Sequence, residues 1–218
     1  MTIRAVIFDL DGTLLDTIQD IADAVNKTLA SLGFPEHEVK AYKYFVGDGE
    51  DKLAFRALPE ERRDQATVNA VLAGFRKICA RHWGDKTSRF PGIPELLDSV
   101  TRMGLKMAVL SNKSQPFTKD TVTAFLAAWR FEVVLGAQPS VPAKPDPAGA
   151  LKIARQMNFA PTGFLYLGDS GVDMKTAVAA GMYPVGALWG YRTADELLTA
   201  GAKALIEAPA GLLGLLHG

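Results

Sequence analysis

Short runs of β-branched and aliphatic residues alternate with helical patterns along most of this chain, and that alternation constrains the fold more than any other feature. Residues 3–8 (Ile-Arg-Ala-Val-Ile-Phe) read as a strand, as do 105–110, 131–135, 164–167, 184–188 and 203–206. Helical spacing fills the intervals at 93–102, 118–129, 147–157, 172–180 and 194–200. Strands that are apolar throughout and separated by helices belong to a parallel sheet covered on both faces. The expected fold is therefore α/β, a doubly wound, mostly parallel sheet with right-handed crossovers.

One connection is too long for this scheme. No strand is recognisable between Asp16 and Pro91, whereas a crossover needs only about a dozen residues. Ile18, Ile21, Ala22, Val25, Leu29 and Leu32 recur at helical spacing, Gly33 follows as a stop, and 67–83 reads as a second long helix. The expected organisation is an α/β core of residues 1–15 and 88–218, with a small α-helical domain, 16–87, inserted after the first strand. Leucine-rich 212–216 is expected to pack a last helix onto the sheet or, alternatively, to form a dimer contact.

Composition removes several function classes. Lys and Arg number 24, as do Asp and Glu, so nothing marks the chain for nucleic acid or an anionic membrane. A single cysteine, Cys79, excludes an internal disulfide and a cysteine-rich metal site, and reads as a small packed hydrophobe. His37, His82 and His217 lie far apart and make a histidine metal site improbable. No apolar stretch is long enough to cross a membrane. Asp9 interrupts the N-terminal apolar run after 5–8, too soon for a secretory signal, so a cytoplasmic protein is expected.

Ligands of such sheets bind beyond the carboxyl ends of the strands, and four of these ends carry reactive side chains. Asp9, Asp11, Gly12 and Thr13 follow the first strand, and Ser111, Asn112 and Lys113 the second. Lys144 lies in the loop after the third, and Gly168-Asp169-Ser170-Gly171-Val172-Asp173 follows the fourth. An isolated aspartate at a strand end is usually a helix cap, but capping does not account for four such clusters in order. Asp9 and Asp11 are two apart, so an extended strand points both side chains the same way. Two carboxylates ~4 Å apart repel by roughly 4 kcal/mol at an effective dielectric of ~20. A proton on one of them or a bound cation must offset this, and with Asp169 as third carboxylate a hard dication such as Mg²⁺ fits. Gly12 permits a tight backbone path, and Thr13 can offer a hydroxyl and an N–H to an anion. Ser111 and Asn112 suit a phosphoryl oxygen, and Lys144 a multi-oxygen anion.

Asp9-Leu10-Asp11-Gly12-Thr13-Leu14-Leu15-Asp16-Thr17 matches the pattern DxDGTLxD[ST], and Ser111, Lys144 and the acidic 168–173 stretch follow in order. The chain thereby resembles the haloacid dehalogenase superfamily over residues 3–181. The resemblance makes 16–87 a cap domain, Asp9 a nucleophile that forms an aspartyl-phosphate, and Asp11 the acid and base that serves the leaving oxygen and then water. It implies Mg²⁺ held by the Asp9 side chain, the Asp11 carbonyl and Asp169, with Asp173 either a further metal residue, an orienting group for Lys144, or a plain first-turn helix acid. A halide departs without a proton, so the presence of Asp11 favours phosphoryl chemistry over carbon–halogen cleavage.

Within the cap, Val46-Gly47-Asp48-Gly49-Glu50 is similar to the specificity loop of phosphoglycolate phosphatases, which makes Gly47, Asp48 and Gly49 substrate-contact candidates. Lys52 or Arg56 could meet a substrate carboxylate, while Lys43, Lys113 and Arg192 read as solvated surface. The expected activity is Mg²⁺-dependent hydrolysis of a small phosphorylated metabolite by a monomer or homodimer, with 2-phosphoglycolate the best substrate guess. A pyrophosphatase, a sugar-phosphate phosphatase or a β-phosphoglucomutase is the alternative within the superfamily, and a non-catalytic binding protein the alternative outside it.

Overall fold

A computed structural model of the chain describes residues 2–216; His217 lies outside them. In chain order the elements are β1 (Ala5–Phe8), β2 (Leu15–Asp16), α1 (Ile18–Ser31), α2 (Val39–Phe45), α3 (Glu50–Ala57), α4 (Gln65–His82), β3 (Ser88–Arg89), α5 (Ile93–Arg102), β4 (Lys106–Ser114), α6 (Gln115–Phe125), β5 (Val133–Ala137), α7 (Ala148–Met157), β6 (Phe164–Gly168), α8 (Gly171–Ala179), β7 (Tyr183–Ala187), α9 (Ala194–Thr199), β8 (Ala204–Ile206) and α10 (Gly211–Leu216).

Six strands form one parallel sheet in the order β5-β4-β1-β6-β7-β8. The strands read as continuous apolar runs because successive side chains enter different cores. Val6, Phe8, Met107, Val109, Leu165 and Leu167 join Ile93, Leu96, Leu97 and Val100 of α5 on one face. Ala5, Ile7, Ala108, Leu110, Phe164 and Tyr166 join Ile153 of α7 and Ala177 of α8 on the other. Leu212 of α10 is fully buried in the first of these cores, with Leu213, Leu215 and Leu216 packed against it.

Helices α1 to α4 surround a separate apolar cluster that includes Ala22, Val25, Leu29, Tyr42, Leu53 and Val71. The Asp64 carboxylate starts α4 by accepting the Thr67 N–H at 3.0 Å. Strands β2 and β3 pair antiparallel where the chain passes between the helical part and the sheet. With two residues each, they are too short to show any periodicity in the sequence. β4 runs past the expected 105–110 to Ser114, so Ser111 and Asn112 lie within a strand rather than after it. α6 then starts at Gln115, with Pro116 in its first turn, and ends at Phe125, leaving Trp129 beyond the helix with its indole N–H on Asp98.

Candidate active site

β1 is hydrogen-bonded to β4 on one side and β6 on the other, so the carboxyl ends of all three strands adjoin. Asp9 leaves β1, Ser111 and Asn112 lie near the end of β4, and Asp169 leaves β6. Lys144 arrives on the loop between β5 and α7, and Asp173 in the first turn of α8. A cavity of about 90 Å³ lies over this edge. Asp9, Asp11, Ser111, Asn112, Lys144 and Asp169 line its floor, while Ile21, Val46, Gly47, Gly49, Leu53 and Phe75 line the side formed by the helices.

Lys144 is the hub of the floor. Its ammonium donates to Asp9 Oδ1 at 2.7 Å, to Asp173 Oδ1 at 2.6 Å and to the Leu110 carbonyl at 3.2 Å, which occupies all three donors. Burial alone would push this lysine down, but the charges of Asp173 and Asp9 prevail and hold it well above its ordinary value. Asn112 fixes the loop that carries Lys144, accepting its backbone N–H at 2.9 Å and donating to its carbonyl at 3.0 Å. Ser111 Oγ accepts the Lys113 N–H at 3.1 Å and remains on the cavity wall.

One carboxylate oxygen from each of Asp9, Asp169 and Asp173 lies within 4.8 Å of the other two. Burial, followed by repulsion from Asp173, pushes Asp9 well above the usual carboxylate range. The same two causes push Asp169 up to about 7. Lys144 pairs with Asp9 and Asp173 but not with Asp169, and such an excess of clustered carboxylates suits a hard dication such as Mg²⁺. Both Asp173 oxygens are already engaged, Oδ1 by Lys144 and Tyr166 and Oδ2 by Ser170. Asp173 is also absent from the cavity wall, and its ion pair with Lys144 anchors that lysine from below.

Several candidates stand elsewhere than expected. Neither Gly12 nor Thr13 lines the cavity. The Thr13 hydroxyl donates to Asp169 at 3.3 Å, and its N–H goes to Leu10, so neither group is offered to an anion. Gly12 sits at φ 88, where a Cβ would collide with the Asp169 carboxylate; its role is to let the chain pass that close. Asp48 also lies off the cavity, held by Arg56 at 2.6 Å, whereas Gly47 and Gly49, both at positive φ, do line it. Lys113 is no free surface lysine: its ammonium lies 3.0 Å from Asp11 Oδ1, with both side chains mostly buried. Cys79 is buried at the cavity's apolar side.

A profile of the family described as haloacid dehalogenase-like hydrolase matches residues 6–187, which include this floor. The chain is a haloacid dehalogenase-like hydrolase. This hydrolase is 32% identical over 214 residues to a phosphoglycolate phosphatase of Escherichia coli K12, with 89% of the chain and 85% of that protein covered. To a phosphoglycolate phosphatase of Pseudomonas putida it is 33% identical over 192 residues, covering 86% and 70%. A crystal structure of a provisionally named phosphoglycolate phosphatase from Lactobacillus delbrueckii superposes with a TM-score of 0.93 at 28% identity over 99% of each chain.

The hydrolase also uses residues that its strand-end motifs do not reveal. They lie on the loop after β7. The Tyr191 N–H donates to Asp169 Oδ2 at 2.8 Å, and its hydroxyl accepts the Thr17 N–H and donates to Asp16. The Trp189 indole holds the Thr13 carbonyl at 2.9 Å. Arg192 reaches the cavity and the helical part, with its side chain only 9% exposed. A Trp-Gly-Tyr-Arg segment after a buried strand was the available signal, but aromatic and basic residues there equally suit a solvated turn.

Proposed function

We propose that this hydrolase is a Mg²⁺-dependent phosphatase that cleaves a small phosphomonoester through a phosphorylated Asp9, with 2-phosphoglycolate as substrate. The observation that carries this reading is the buried Asp9 carboxylate at 2.7 Å from the Lys144 ammonium, within a cluster of three buried carboxylates. The relatives' names supply the substrate.

Asp9 attacks the phosphorus, forming an Asp9 O–P bond as the ester P–O bond breaks. Asp11, on the same wall, gives its proton to the departing glycolate oxygen, and the Lys113 ammonium 3.0 Å away steadies the carboxylate left behind. Asp11 then takes a proton from the water that cleaves phospho-Asp9, which regenerates both carboxyl groups and releases phosphate. Lys144, anchored by Asp173, holds the Asp9 oxygen in register throughout. Mg²⁺, held by Asp9, Asp169 and the Asp11 carbonyl, would neutralise charge on the transferring phosphoryl group. The apolar wall of Ile21, Leu53 and Phe75 keeps bulk water from the intermediate.

Phosphate release from 2-phosphoglycolate by the purified protein tests this. Turnover is expected to require Mg²⁺, to stop with chelator and to return on adding the metal. A rate indifferent to chelator would refute the carboxylate–metal assignment.

A further inference from the structure

A phosphorylated acid brings a second negative group into a cavity whose floor is already rich in carboxylates, and a cation must receive it. The two cationic candidates of the cap do not line the cavity. Arg56 is tied to Asp48 at 2.6 Å and to the Phe45 carbonyl at 3.1 Å. Lys52 is exposed and lies over the Phe55 ring. Of the cations that do line it, Lys144 is shared by Asp9 and Asp173, and Lys113 is paired with Asp11.

Arg192 is the exception. It lines the cavity from the loop between β7 and α9. Its guanidinium donates to the Val46 carbonyl at 2.8 Å, and its Nε faces Glu196 at 3.4 Å. Glu196 is 41% exposed and therefore a well-solvated, weak counterion. The guanidinium also lies 5.6 Å from the Tyr44 ring centre, and its charge favours the ionised form of Asp169; its five N–H donors, in a planar fork, have the geometry to take a further carboxylate. Gly47, at φ 108, lies directly beside it: a Cβ there would stand 3.5 Å from the guanidinium, at ordinary van der Waals contact. The next carbonyl along, that of Gly47, is held by Asn112 at 3.0 Å. Core residues thus grip two successive carbonyls of the cap loop, and one of the two grips is made by a cationic residue that lines the cavity.

We propose that Arg192 reads the carboxylate of the substrate from the seam between core and cap, and so sets a preference for phosphorylated short acids over uncharged phosphate esters of the same size. This deepens the phosphatase reading and rests on it. Because the same guanidinium holds Val46, binding of the acid also reinforces cap closure over the phosphoryl group.

The test compares kcat/KM for 2-phosphoglycolate with that for ethyl phosphate, in which a methyl group replaces the carboxylate. The native protein is expected to prefer the acid. In Arg192→Met that preference ratio is expected to fall about 10- to 100-fold, the loss typical when a charged hydrogen-bond partner is removed, and Arg192→Lys should restore part of it. Lys52→Met, on the exposed cap surface, should leave the ratio unchanged. If both substrates decline together in Arg192→Met, or if the native protein shows no preference, Arg192 is a latch alone and the assignment falls. Calorimetric binding of 2-phosphoglycolate to Asp9→Asn, with and without Arg192→Met, separates this from the chemistry. If the native protein turns over neither ester yet binding depends on Arg192, the hydrolysis is refuted and the carboxylate reader stands. If binding is unaffected by Arg192→Met, the reader itself is refuted.

Discussion

Lys144 has no donor to spare, and Asp9 has no other cation within reach among the described residues. Replacing this lysine with methionine would leave Asp9 and Asp173 buried and unpaired. Loss of one partner from a buried ion pair costs about 3–5 kcal/mol, so Lys144→Met should unfold at markedly lower denaturant as well as lose turnover. Asp9→Asn is the converse case. It removes a carboxylate that burial and its neighbours already disfavour, so the melting temperature should hold or rise while phosphate release falls by about 10³-fold or more. A Tm drop with retained activity would contradict both roles. Cys79 shows burial acting without a partner: it pushes the thiol up to about 12. At pH 8 the folded protein should therefore present about 10³-fold less thiolate than a free cysteine. Iodoacetamide labelling should accelerate sharply on adding denaturant; equal rates would show that the thiol is accessible and not withdrawn into the apolar wall.

At the scale of elements, patterning was legible wherever an element was long enough to repeat itself. α5 follows the expected 93–102, and in the structure Ile93, Leu96, Leu97 and Val100 form one buried stripe with Pro94 in the first turn. Leu97→Ala should cost about 2–5 kcal/mol in chemical denaturation, with the KM of the folded fraction unchanged. β1 was legible as four apolar residues cut off by Asp9, and β6 likewise by Asp169. The sequence did not disclose β2, β3 or the extension of β4, because two paired residues have no period and the Ser111–Ser114 stretch is polar. It named Asp9, Asp11, Ser111, Asn112, Lys144 and Asp169, all of which line one cavity. Thr13 and Asp48, also named, lie off that cavity, with Asp169 and Arg56 as their partners.

Taken as a whole, the molecule concentrates buried negative charge at one edge of the sheet, and that has a thermodynamic sign. Asp169 stands near 7 in the folded chain against about 4 in an unfolded one. A raised carboxyl favours the protonated native state. Its contribution to stability is fully present below about pH 4 and is lost as pH rises through about 7. The metal-free protein should therefore melt about 4–8 °C higher at pH 5.5 than at pH 8. Mg²⁺ should reverse the order by stabilising the protein most at pH 8, where the carboxylates are ionised; calorimetry with and without chelator checks both. A pH-independent Tm would contradict the clustered carboxylates. The sequence by itself determined the parallel sheet, the helical insertion and the reactive groups at the strand ends, because period and spacing are local and each such residue declares its strand. Only the tertiary structure decided that Lys113 pairs with Asp11, that Tyr191 and Trp189 buttress the floor and that Arg192 reaches the cavity. Those contacts join residues as many as 176 positions apart, and such a pairing is fixed by how the layers pack, which no local pattern records.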